Sequence, residues 1–238
     1  MCGRYTYLYK WKQLHRLMKL LEWPPDELAP RFNVAPTQQA PVVRVNENGG
    51  RIGAMMRWGL IPPWPNDPPA EPMLNNARGD AVFTKPTFRD AAKKRRCLVP
   101  VSGFYEWQER EGEKRKQPYW IGRADREPFC FAGLWEVWRD RANPNATPLE
   151  SFTIITTEPN ALVAPIHDRM PTIVAPLDWD AWLNPATPQE QVQGLIHPYT
   201  GGDLQAFPVS KAVNTTERDD AGLVEKVNLL PTLPGLFG

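Results

Sequence analysis

Met1-Cys2-Gly3-Arg4 opens the chain with an arrangement that can do chemistry no internal side chain can. A small second residue permits removal of the initiator Met, and Cys2 would then carry an α-amine and a thiol on adjacent carbons. Such a 1,2-aminothiol condenses with an aldehyde: the amine forms an imine, and the thiol adds to the same carbon to close a five-membered thiazolidine. An internal cysteine cannot close this ring because its nitrogen is an amide. An α-amine titrates at about 7.7–8.0 and a lysine at about 10.4, so at pH 7 roughly a tenth of the amine is neutral against roughly one lysine in a few thousand. A thiol of pKa about 8.5 is a few per cent thiolate. Gly3 allows a ligand to pass close to the backbone. The plain alternative is that Cys2 merely happens to follow the start of translation.

Three further stretches carry reactive side chains in turns or at strand ends: Asn76 with Arg78, Glu106 within Gly103-Phe104-Tyr105-Glu106-Trp107, and His167 within Ile166-His167-Asp168-Arg169. The strand around Glu106 is otherwise aromatic and apolar. Desolvation there would raise a carboxyl pKa and make it an acid near neutrality, unless strand alternation turns it to solvent. His167 can move protons at neutral pH, or can be a histidine satisfied by backbone. Asn76 could orient an amine or a sugar oxygen, and Arg78 could grip a phosphate through two parallel hydrogen bonds. Each signal is weak alone, and only the combination is specific.

The rest of the chain bounds what can hold these residues. Its 238 residues suffice for a substantial core. A net charge of +1 argues against a polyanion binder that is basic all over, but allows a local basic face. Cys2, Cys97 and Cys130 form no C-x-x-C pair, and His15, His167 and His197 lie far apart, so neither a zinc site nor any other metal or cofactor is expected. The odd cysteine count and the lack of a signal peptide point to a reducing cytoplasm. No stretch approaches the roughly 18 apolar residues of a membrane span. The 27 prolines and ten tryptophans favour rigid, loop-built surfaces over a helical bundle.

Residues 4–9 alternate as a strand. Trp11, Leu14, Leu17, Met18 and Leu21 share one helical face, and Pro24-Pro25 stops that helix. Residues 40–45 and 51–58 flank Asn46-Glu47-Asn48-Gly49-Gly50 as a hairpin. A proline-rich loop over 59–72 carries Trp64 and delivers the chain to Asn76. A short helix is predicted over 87–95. Strands follow at 97–101, 104–108, 118–121, 129–137 and 151–157, with a charged, solvated hairpin tip at 110–117. Later elements are a strand at 172–175, helices at 177–183 and 188–196, and a strand at 204–209. The tail from Arg218 is loosely patterned, with partial disorder expected. Without an internal repeat or a linker, the pattern predicts one α+β domain over 1–238, its core within about 1–214, built on a largely antiparallel, barrel-like sheet with peripheral helices.

Met1-Cys2-Gly3-Arg4, Phe32-Asn33-Val34-Ala35-Pro36, Arg57-Trp58-Gly59-Leu60-Ile61-Pro62, Asn76-Ala77-Arg78, Gly103-Phe104-Tyr105-Glu106-Trp107 and Ile166-His167-Asp168-Arg169 occur in the order found in the SOS response-associated peptidase (SRAP) family. The chain resembles that family from residue 1 to about 214. The resemblance implies a DNA-repair protein that crosslinks to abasic sites in single-stranded DNA through a thiazolidine on its N-terminal cysteine. It implies Cys2 as nucleophile once Met1 is removed by autoproteolysis or an aminopeptidase. Glu106 would be the acid that opens the sugar and helps reverse the crosslink, and His167 a proton shuttle. Asn76 would position the amine and the DNA backbone. Arg4 and Arg78 would bind phosphates, Asn33 would contact DNA, and Trp58 and Pro36 would line the neighbouring bases.

Two positions depart from the family pattern. Asp80 stands where Glu is usual, and Phe32 where Tyr is frequent. The loop after Asp80 also looks short, which makes Lys85 the candidate for a second basic DNA contact. The expected partner is single-stranded DNA bound by a monomer. Rival readings are an N-terminal-nucleophile glutamine amidotransferase, which needs an oxyanion hole beside its thiol, a non-catalytic single-strand binding module, and a peptidase that processes other proteins.

Overall fold

Alternating β-branched and aromatic runs broken by turn residues dictate a chain dominated by strands. The computed structural model has that architecture; it describes residues 2–22, 28–65 and 74–229. In chain order the elements are β1 (Arg4–Tyr7), α1 (Trp11–Met18), β2 (Arg31–Val34), β3 (Gln39–Val45), β4 (Arg51–Trp58), β5 (Asn76–Arg78), α2 (Pro86–Lys94), β6 (Arg96–Val101), β7 (Gly103–Gln108), β8 (Gln117–Arg123), β9 (Phe129–Trp138), β10 (Leu149–Thr157), β11 (Met170–Pro171), β12 (Ile173–Val174), α3 (Trp179–Leu183), α4 (Gln189–Gly194) and β13 (Leu204–Pro208). Short 3-10 turns cover Pro176–Asp178, Lys211–Asn214 and Ala221–Val224.

Five strands close a barrel in the order β10-β4-β3-β6-β9 and back to β10. All its pairings are antiparallel except β4 with β10, where Arg57 faces Ser151 and Trp58 faces Phe152. β4 ends there, and β5 takes over the same edge of β10 in parallel, with Asn76 opposite Ile154 and Arg78 opposite Thr156. A second, wholly antiparallel sheet runs β13-β8-β7-β1-β2. The two sheets meet through aromatic rings: Phe104 and Tyr5 set their edges against Phe131, and Tyr5 packs on Trp58 at 4.9 Å. Gly103 on β7 is required where it stands, because a Cβ there would lie 2.4 Å from the buried Trp120 ring.

The 40–58 hairpin forms as its turn residues predict, with Gly49 at φ 79°. α1 stops earlier than the apolar stripe suggests. Lys19 adopts a left-handed conformation (φ 52°) and its amide bonds the His15 carbonyl, which ends the helix at Met18. Only Trp11, Leu14 and Met18 of the stripe are buried, while Leu17 and Leu21 are exposed. Pro24-Pro25, residues 66–72 of the proline-rich loop and residues 230–238 lie outside the described residues. The tail from Arg218 to Leu229, expected to be loose, packs onto the second sheet. Asp219 accepts the Phe32 and Asn33 amides of edge strand β2 and pairs with Arg31, and Leu223 and Val224 are buried. The strand expected at 172–175 is two short pieces on different partners, β11 on β10 and β12 on β9.

Candidate functional site

Pairing in the second sheet brings the first residues to Glu106. Arg4 lies opposite Tyr105, and continuing that antiparallel register sets Gly3 against Glu106. Cys2 is fully buried, its thiol directed at the Arg4 carbonyl at 3.8 Å. Burial pushes the thiol pKa well up, and the neighbouring Glu106 carboxylate pushes the same way. The resting thiol is therefore protonated.

Asn76 approaches from the barrel. Trp58 Nε1 donates to the Asn75 carbonyl at 2.9 Å, and the Ile154 amide of β10 donates to the same oxygen at 3.2 Å. Asn76 Nδ2 then donates to the Cys2 carbonyl at 2.7 Å. Its Oδ1 is buried and accepts no hydrogen bond among the described residues, although a buried acceptor normally finds a donor.

Glu106 points inward from β7 with 1% of its surface exposed. Burial raises its pKa to about 7. His167 Nε2 stands 3.7 Å from Glu106 Oε2, a little beyond direct hydrogen bonding. His167 sits in a turn in which its backbone amide bonds the Val163 carbonyl and Asn160 Oδ1 accepts the Val163 amide. The Arg169 amide donates to His167 Nδ1 at 3.0 Å, while Asp168 Oδ1 lies 2.9 Å from the same nitrogen. These contacts exclude one another in the neutral ring. An amide can only donate and Asp168 is largely exposed, so Nδ1 is the acceptor and the proton sits on Nε2, towards Glu106. Burial lowers the His167 pKa, which favours that neutral form.

Cys2, Asn76, Glu106 and His167 thus come together from four elements, and the other candidates are distributed differently. Trp58 is fully buried between Tyr5 and Phe152. It presents no face to a base and is the floor beneath Asn75 instead. Asn33 is also fully buried. Its amide nitrogen bonds the carbonyls of Thr215 and Arg218 at 2.8 Å each, and its oxygen accepts from Arg4. It anchors the tail. The Arg4 guanidinium further bonds the Val213 and Asn214 carbonyls, so it is committed mainly within the protein. Pro36 is half-buried in the turn between β2 and β3. Lys85 is exposed just before Pro86 and shares no hydrogen bond or ion pair with the four site residues among the described residues.

Arg78 is exposed and its guanidinium is gripped twice by Asp80, at 2.7 and 3.2 Å. A phosphate arriving there would have to displace that carboxylate. Beyond them opens a cleft of about 400 Å³ that also takes in Glu158, Arg169 and His197. Arg169 received no role from the sequence. It donates to the Thr156 carbonyl at 2.7 Å, and its buried Nε has no partner among the described residues. Its signal was its place two residues after His167.

A buried acid, a neutral imidazole, a carboxamide and a thiol gathered on an α+β barrel are groups that can move protons around a cysteine. The chain matches the profile of the SOS response associated peptidase (SRAP) family over residues 1–216 and belongs to that family. It is 37% identical to the abasic site processing protein YoqW of Bacillus subtilis over 94% of this chain and 99% of that one. The abasic site processing protein HMCES of Xenopus tropicalis is 32% identical over 83% of this chain and 68% of its own. A crystal structure of a protein from Bacteroides thetaiotaomicron superposes with a TM-score of 0.82 at 25% identity, covering 95% of this chain and all of the other.

Proposed function

We propose that this protein processes abasic sites in single-stranded DNA by linking covalently to them through Cys2. The observation that carries the reading is the meeting of Asn76, Glu106 and His167 around Cys2; the SRAP membership and the names of the relatives support it. The same membership weighs against the amidotransferase reading.

Removal of Met1 frees the Cys2 α-amine. The opened deoxyribose of an abasic site carries an aldehyde at C1′. Glu106, half protonated near pH 7, gives its proton to the ring oxygen as the sugar opens. The amine adds to C1′, and water leaves with a proton relayed through the imidazole of His167. The thiol then adds to the imine carbon, and its proton passes to the nitrogen. One C–N and one C–S bond form and one water is released. The buried acceptor Asn76 Oδ1 is suited to hold an N–H of the amine while Nδ2 fixes the Cys2 carbonyl. A thiol kept protonated by burial is a poor first nucleophile, so the amine acts first. Reversal runs the same steps backwards through the same acid. Arg78, once released from Asp80, and Arg169 in the adjoining cleft offer cations for phosphates. The protein acts as a monomer in the cytoplasm, and its peptidase activity is confined to Met1.

Intact-mass spectrometry before and after incubation with an abasic single-stranded oligonucleotide tests this directly. The expected result is loss of Met1 and a mass gain equal to the oligonucleotide less one water. A processed protein that stays unmodified would overturn the reading.

A further inference from the structure

The strand that carries Glu106 does not end at the site. β7 runs past Gln108 into a hairpin tip, residues 109–116, before β8 returns. Gln108 Nε2 donates to the Pro165 carbonyl at 2.9 Å, two residues before His167, which ties the hairpin stem to the wall of the site. Lys116, on the returning side, lies close enough to His167 to bear on its charge. The tip turns at Gly112, with φ 77°.

The charges of this tip are sorted. Lys116 pairs with Glu109 at 2.6 Å, and Glu113 is held by Arg110 at 2.7 Å and by Lys211 at 2.6 Å. Two of the three acidic residues are thereby consumed in bonds that brace the hairpin. Lys114 and Arg115 are exposed and, among the described residues, make no ion pair; only Glu111 stands near them in sequence as an uncommitted acid. A merely solvated turn would need neither the bracing nor the tie to Pro165. Continuing the β7–β8 register puts Arg115 and Lys114 across from residues 110 and 111, at about 3.3 Å per residue roughly 15 Å beyond Glu106. That is a few nucleotides from a lesion held at the site.

We propose that the β7–β8 hairpin is a second arm for the nucleic acid, in which Lys114 and Arg115 hold the phosphodiester backbone on one side of the lesion. This rests on the function proposed above and adds a contact remote from Cys2 to it. The occupant follows from charge complementarity and from continuity of the strand with the site.

The test measures binding by anisotropy with the N-terminus blocked, so that failure of the crosslinking chemistry leaves the hairpin still judged by affinity. Two abasic single-stranded oligonucleotides are compared, one with the lesion next to its 5′ end and one with it next to its 3′ end. K114E/R115E should weaken one of the two by roughly tenfold at low salt and leave the other within error. The milder K114A/R115A should flatten the dependence of log Kd on log salt by roughly 0.7 for each lost contact, about 1.4 in all, for the same oligonucleotide. K12E/R16E, on the exposed face of α1, makes the same change in net charge and should affect neither. Equal weakening of both oligonucleotides, no weakening of either, the same loss from K12E/R16E, or a wild-type protein that binds neither oligonucleotide would overturn the proposal. Thermal melting of each variant confirms that the fold is intact.

Discussion

Replacing Glu106 with Gln should make the protein more stable at alkaline pH while making it a worse catalyst. Burial moves the carboxyl from its ordinary 4.5 to about 7, and with 1% of the residue exposed there is little solvent to screen the effect. At about 1.4 kcal/mol per pH unit, holding the ionised form in this site costs about 3 kcal/mol. The sign follows from proton uptake. Between pH 4.5 and 7 the folded state keeps a proton that the unfolded chain has lost. The stability contributed by Glu106 is therefore fully present below pH 4.5 and is lost as pH rises through 7. Glu106→Gln has nearly the same shape and no charge to bury, so it should match the parent at pH 4.5 and exceed it by up to about 3 kcal/mol at pH 8. Urea denaturation of both proteins at pH 4.5, 6 and 8 measures the difference. The same substitution should slow both crosslinking and its reversal, since the two share a transition state. A stability difference that does not grow between pH 4.5 and 8 would mean that the carboxyl is solvated and ordinary, and the acid role would go with it.

Cys2→Ser keeps the amine but offers a poorer nucleophile for ring closure. A denaturing gel with an abasic oligonucleotide should show an adduct only after borohydride, whereas any residue retained ahead of Cys2 should abolish both products; a heat-stable adduct from the blocked protein would put the nucleophile elsewhere. Asn33→Ala removes the bonds that hold residues 213–218 and should cost about 2–4 kcal/mol in urea denaturation without changing the salt slope of DNA binding. A changed slope at full stability would return Asn33 to the DNA interface. Asp80→Asn should release Arg78 and tighten binding to single-stranded DNA at low salt; unchanged or weaker affinity by anisotropy would show that the pair does not compete with phosphate.

The hairpin of β3 and β4 could be read from its sequence because its turn residues and alternation are local. β5 could not. It is three residues long and exists because β4 stops at Trp58 and frees an edge of β10, a partner more than 70 residues further along the chain. Alternation shows that successive residues face opposite ways but not which way is out, so Trp58 passed for a stacking platform although its ring is sealed between Tyr5 and Phe152. The family resemblance implies DNA contacts for Arg4 and Asn33. Their hydrogen bonds instead go to the tail, whose loose pattern hid an ordered path. The four candidate residues stand out in the sequence because each is a reactive group in an otherwise apolar or turn-forming setting. Arg169 does not, because an arginine beside a histidine has many ordinary uses.

The place of β1 in its sheet has a bearing on how the protein is made. One neighbour of β1, β2, comes from residues 31–34, but the other, β7, comes from residues 103–108. At roughly 5–20 residues per second of synthesis, the chain needs about 5–20 s to reach β7. Until then β1 has only one of its two neighbouring strands and no Glu106 beside it. On the function proposed above, an aminopeptidase would meet the start of the chain first without β7 and only later with β7 paired to β1.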